Sequence, residues 1–293
     1  MRSQRCAGRW IVASMLLAAA GTLARPAVAA STIDDGDHPY WRTNLFKRVV
    51  TDQKFFLTRW WPQEITSNRW FSSTLAVGLA LVVQSGSREN GGRDLRWASG
   101  ISGTAGTDVK IGSQRMTRLG NGTTVAAILG ITYLASRRAH DDRLSEASSL
   151  ASESLLDAGL WIVVLKAVTA RVRPNQPEAG GFFQYGSSQN GSFPSGHAMG
   201  AFSVASVFAE SYRDKKWVPW LSYGLATLVG ASRLALGRHF PGDVIVGAVL
   251  GTSIGRGVVA RNEESTPRAR GTVGPVVGPE GRGVGIGWSY SWK

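Results

Sequence analysis

A chain of 293 residues, 43% hydrophobic and 18% charged, has enough apolar content for a sizeable core, which excludes wholesale disorder. Its formal net charge of +13 fits nucleic acid, an anionic membrane surface or a phosphorylated substrate. The cations are scattered, with no basic run interleaved with aromatics beyond short pairs such as Arg137 and Arg138, so nucleic acid is not an expected partner.

Residues 1–30 read as a signal peptide. Arg2, Arg5 and Arg9 precede an apolar stretch over 10–24, and the small residues Ala27 and Ala29 follow it. That stretch is shorter than the roughly 20 residues a spanning helix needs. The only cysteine, Cys6, leaves with it, so the mature chain has no thiol nucleophile and no cysteine metal ligand. The expected location is exported, in the periplasm or cell envelope. A polar, aromatic-rich lead-in over 31–69 carries Trp41, Trp60, Trp61 and the acids Asp34, Asp35 and Asp37. Its aromatics suit packing on the body or resting at a bilayer surface.

From 70 to 260 the chain alternates apolar stretches of helical length with polar breaks, at 70–85, 122–137, 144–172, 196–212, 217–236 and 242–260. The expected fold is all-α, a six-helix bundle. No stretch offers 18 uninterrupted strongly apolar residues, and a mean hydropathy of −0.06 is low for six spans. A soluble or peripheral bundle is therefore favoured over an integral membrane one, with contact at a membrane surface left open. After Arg261 a polar linker leads into Val284, Ile286, Trp288, Tyr290 and Trp292, which alternate with glycine and serine. With 273–277 and the Pro279-Glu280-Gly281 turn, these make a short C-terminal β-hairpin over 261–293. One or two strands are too few for a membrane barrel.

Three clusters carry chemistry. In the first, Lys166 lies seven residues before Arg173, two helical turns along one face, and Pro174 stops the helix. Taken alone, these cations and Arg171 read as helix C-terminal dipole partners or snorkelling chains. In the second, Gly191-Ser192-Phe193-Pro194-Ser195-Gly196-His197 enters a helix, whose free N–H groups suit a phosphate. The third, Ser232-Arg233 followed by His239-Phe240-Pro241-Gly242-Asp243, places a carboxylate four residues after an imidazole. Asp243 can cap the last helix or fix the tautomer of His239. His38 and His140 lack such neighbours and read as surface residues.

The ordered triple resembles the signature of the type 2 phosphatidic acid phosphatase and vanadium haloperoxidase superfamily. The resemblance covers Lys166 to Asp243 and implies a helical phosphatase domain over 70–260. It implies a phosphate cradle of Lys166, Arg173, Ser195, Gly196 and Arg233, with His239 as nucleophile, Asp243 orienting it and His197 protonating the leaving oxygen. The implied activity is hydrolysis of phosphate monoesters or pyrophosphates, on lipids or small molecules, through a phosphohistidine, with no metal and no cofactor. The loop 175–192, with Phe182, Phe183 and Tyr185, is expected to contact the leaving group. A vanadate-dependent haloperoxidase, a lipid phosphotransferase and a non-catalytic envelope component are the alternatives.

Overall fold

The computed structural model describes residues 40–84, 92–176, 179–180, 183, 191–265, 270–277 and 284–291. The signal at 1–30, the three lead-in acids, Phe182 and Tyr185 lie outside them.

A short 3-10 helix, Tyr40–Arg42, leads into α1 (Leu45–Phe55), a π-helical turn (Phe56–Trp60) and α2 (Trp61–Ser67). Asn44 starts α1 by accepting the Phe46 N–H at 2.9 Å. Then follow α3 (Arg69–Gln84), α4 (Arg93–Thr104), α5 (Thr107–Leu119), α6 (Gly122–Arg138) and α7 (Asp142–Thr169). Asp141 caps α7 by accepting the Leu144 N–H at 2.9 Å. This 28-residue helix ends where Ala170 turns left-handed at φ 39°. The bundle closes with α8 (Gly196–Ser211), α9 (Trp217–Ala235) and α10 (Pro241–Ser265). Beyond it β1 (Arg270–Val277) pairs antiparallel with β2 (Val284–Ser291), from Arg270 opposite Ser291 to Val277 opposite Val284. The described chain is thus richer in helices than the six expected. The additional ones, α1, α2, α4 and α5, fall in the lead-in and in a polar stretch whose apolar residues are too sparse to stand out.

The core is centred on α8 and α10. α10 is buried along nearly its whole length, which small residues permit. A methyl at Gly251 would land on the Met199 carbonyl, and one at Gly255 on the Ser203 carbonyl, so the two backbones touch. Met199, Val207, Ile254 and Val258 meet Leu150 and Ala158 of α7 on one side, where Trp41, Phe55, Phe56 and Trp60 also bury. Phe202, Tyr223, Leu234 and Val244 fill the other side. The Trp60 indole N–H donates to the Ser253 carbonyl at 2.9 Å, which ties the aromatic lead-in to α10.

The soluble or peripheral bundle expected from hydropathy is corrected here. α7 and α10 are each long and apolar enough to cross a membrane. The outer helices turn large apolar side chains away from the core: Leu156, Leu160, Val163 and Val168 on α7, Ile128, Ile131 and Leu134 on α6, and Trp220, Leu225 and Leu228 on α9. Val163 is 66% exposed and Trp220 72%, and such a belt is far larger than the patches a soluble monomer shows to water. Mean hydropathy missed it because Gly, Ala and Ser between the helices, together with buried charges, lower the average while the outer surface stays apolar.

Candidate active site

Four helix ends meet at one end of the bundle: the C-termini of α7 and α9 and the N-termini of α8 and α10. The segments 170–195 and 236–240 join them. In the second, Gly237 takes φ 60° and its N–H closes on the Leu234 carbonyl at 3.0 Å. Pro241 then opens α10 at a position that needs no N–H donor. His239 is fixed between these ends and is 2% exposed.

The His239 Nδ1 lies 2.8 Å from the Ser192 carbonyl oxygen. Nδ1 must donate there, so the tautomer leaves Nε2 bare. The Asp243 carboxylate is 3.7 Å from Nδ1, beyond hydrogen-bond range. Asp243 instead accepts from the Ser192 hydroxyl, from the Phe240 N–H at 3.1 Å and from Arg171. The direct Asp243–His239 bond that their spacing allows is thus replaced by one through Ser192, because the first turn of α10 aims the carboxylate at the loop backbone. Burial pushes the His239 pKa down to about 4 against the opposing pull of Asp243, so the ring is neutral at pH 7.

Cations gather at this end of the bundle from three places along the chain. Lys166, on the last turns of α7, donates to the Gly191 carbonyl at 2.6 Å. Arg173, just beyond α7, donates to the Arg238 carbonyl at 3.0 Å; burial and Arg238 hold its pKa below the usual guanidinium value. Arg233, on the last turn of α9, donates to the Thr117 hydroxyl of α5 at 2.9 Å. His197, in the first turn of α8, is close enough to feel Arg233, His239, Lys166 and Arg173 electrostatically. Ser195 begins α8, yet its hydroxyl caps nothing. Ser195 Oγ and Arg233 Nε are buried with no hydrogen-bond partner among the described residues. The structure therefore brings together all eight sequence-derived site residues: His239, His197, Asp243, Lys166, Arg173, Ser195, Gly196 and Arg233. Of the aromatic loop, Phe183 is exposed.

Sequence reasoning missed four contributors. Ser192 supplies the carbonyl that sets the tautomer, and Thr117 braces Arg233. Arg171, read as a helix-end cation, is fully buried between Asp243 and Asp94, with Asp94 Oδ2 at 3.0 Å. Asp94 carries no local signal, because its partner lies 77 residues away.

Residues 147–266 match the PAP2 superfamily. Within the chain, 67 residues are 39% identical to the lipid A 1-phosphatase of Porphyromonas gingivalis, covering 22% of this chain and 15% of that protein. A further relative, the phosphatidylglycerophosphatase B of Bacillus subtilis, is 38% identical over 96 residues, or 30% of this chain and 44% of that one. The chain thus spans less than half the length of these relatives. In fold, it is similar to a transmembrane PAP2-type phosphatidylglycerolphosphate phosphatase from Bacillus subtilis, with a TM-score of 0.53 and 23% identity over 66% of this chain and 96% of that one. Over residues 147–266 the chain thus matches the PAP2 superfamily, in line with the resemblance carried by its three clusters.

Proposed function

We propose that this protein is a membrane-embedded phosphatase that removes phosphate from a phosphorylated lipid through a phosphohistidine on His239. The observation that carries this reading is the pairing of excess cations with orphaned donors around one bare imidazole nitrogen. Lys166, Arg173 and Arg233 lie close enough to act on one another beside it, while Ser195 Oγ and Arg233 Nε are buried without hydrogen-bond partners among the described residues. Leaving buried donors unmade costs about 1–3 kcal/mol each, and a bound phosphate group offsets that cost. The free N–H groups in the first turn of α8 add to the same anion site.

The chemistry follows from the geometry. Nε2 of His239 attacks phosphorus in line as the bond to the leaving oxygen breaks, and His197 gives that oxygen its proton. Nδ1–H stays on the Ser192 carbonyl, which stabilises the positive charge that develops on the ring. Water then gives a proton to His197 and attacks phosphorus, the P–N bond breaks, and phosphate leaves with His239 restored. The cations stabilise charge on the three equatorial oxygens, a role that metal ions fill in other phosphoryl-transfer enzymes.

Exposed Arg93, Arg96, Lys110, Arg115 and Arg118 on α4 and α5 give the site end of the bundle a positive surface, which favours anionic lipid headgroups as the substrate class. The named activities of the relatives, on lipid A and on phosphatidylglycerophosphate, fall in that class. The test is phosphate release from a panel of lipid and water-soluble phosphates in EDTA, comparing wild type with His239→Ala and His197→Ala. Activity on lipids in EDTA, lost in His239→Ala, supports the reading. Full activity in His239→Ala overturns it, as does halide oxidation with added vanadate in place of phosphate release. Transfer of the phosphate to a lipid acceptor instead of water identifies a phosphotransferase using the same site.

A further inference from the structure

We propose that Asp94 is a positioning residue for His239, acting through a buried chain of direct bonds, and that α4 is thereby a working part of the site. The inference rests on the reading of His239 as nucleophile. Asp94 lies outside the 147–266 segment that matches the superfamily.

Asp94 Oδ1 accepts the Gly242 N–H at 2.9 Å, and Oδ2 accepts from Arg171 Nη2 at 3.0 Å. The other arm of Arg171 donates to Asp243, and its guanidinium lies 4.0 Å over the Phe240 ring. Asp243 in turn receives the Ser192 hydroxyl and the Phe240 N–H, and the Ser192 carbonyl receives His239 Nδ1–H. Each step from Asp94 to the imidazole is thus a single bond. Asp94, Arg171 and Asp243 are all fully buried, where directed bonds are strong and a missing partner is costly.

Two features show that Asp94 sets the position of the loop rather than filling space beside it. A single guanidinium holds both carboxylates, so Arg171 is aligned on Asp243 by Asp94 from the opposite side. The first turn of α10 is also pressed onto α3 and α4: a Cβ at Gly242 would come within 2.9 Å of Val82, 3.0 Å of Asp94 Oδ2 and 3.0 Å of the Gly78 carbonyl. His239 and Asp243 flank that turn. A nucleophile held in line with phosphorus loses rate steeply when its support loosens.

Asp94→Asn keeps the side-chain volume and the acceptor for Gly242 but removes the charge that faces Arg171. Its kcat on a phosphorylated lipid in micelles is expected to fall at least about tenfold with KM within about twofold. In isotope-labelled histidine NMR without substrate, His239, assigned by its loss in His239→Gln, is expected to show one Nδ1–H tautomer in wild type. In Asp94→Asn it should average between tautomers. Arg171→Gln combined with Asp94→Asn should be no slower than Arg171→Gln alone, since both act through one chain. A folded Asp94→Asn with wild-type kcat and an unchanged His239 spectrum overturns the proposal, and so do losses that multiply in the double variant. A wild type that releases no phosphate sinks the nucleophile reading instead, because the tautomer change is read without substrate.

Discussion

Two of the buried charge networks in this bundle differ in sign and in what they hold. Around His239, Lys166, Arg171, Arg173 and Arg233 outnumber Asp94 and Asp243. In the half of the bundle away from His239, Asp52, Glu153 and Asp157 outnumber Arg48 and Arg261. There Arg48 pairs with Glu153 at 2.8 Å, Arg261 pairs with Asp52, and the Tyr40 hydroxyl lies 3.0 Å from Asp52 and 3.1 Å from Glu153. That network joins α1 to α7 and α10 and repels an anion. The cationic network attracts one. Burial of charge is therefore not by itself the mark of a site in this protein; the sign of the excess distinguishes the place that binds from the place that clamps.

The sharpest way to break this comparison is to remove one member of each network. His239→Ala should lower kcat by about 10³-fold or more, with the fold retained, as steady-state phosphate release would record. Arg261→Met should do the reverse. It leaves Asp52 without its guanidinium and is expected to cost about 3–5 kcal/mol of stability, with kcat of the folded fraction unchanged. Denaturation in micelles alongside kinetics separates these outcomes, and a large loss of kcat in folded Arg261→Met would erase the distinction between the two networks.

A smaller effect comes from acid. His239 has a folded pKa of about 4 against 6.5 when free, so between these values the unfolded chain binds more protons and stability rises with pH. Its contribution, about 3 kcal/mol, is complete above about 6.5 and is lost as pH falls towards about 4. His239→Gln should flatten the difference in melting temperature between pH 7 and pH 4.5 relative to wild type. The smallest effect is expected at the outer brace: Thr117→Val removes one acceptor from Arg233 and should slow turnover by about three- to tenfold. A loss as large as that of His239→Ala would place Thr117 in contact with the substrate.

Much of the candidate site was legible in the sequence because the residues assigned to the anion are grouped on helix ends. Lys166 and Arg173 share a helical face, His197 opens a helix after Pro194-Ser195, and His239 sits four residues before Asp243. Spacing along a helix conveys such relations. Residues that act from another element carry no comparable trace: Asp94 and Thr117 reach the site only through the tertiary approach of α4 and α5. The bond geometry at Asp243 was also out of reach, since four-residue spacing allows contact with His239 without requiring it. The membrane reading failed for a related reason. Whole-chain hydropathy averages the glycines of α10, which touch α8, with the exposed leucines and valines of α7, which define the outer surface.

The most direct test of the account is to trap the phosphorylated enzyme. Wild type mixed briefly with a lipid carrying a labelled phosphate and quenched in base should retain an acid-labile label that maps to His239. The label should be absent from His239→Ala and should accumulate in His197→Ala, where water attack is slowed. A label that persists in His239→Ala, or turnover with no label in wild type or His197→Ala, would contradict the assignment of His239 as the nucleophile.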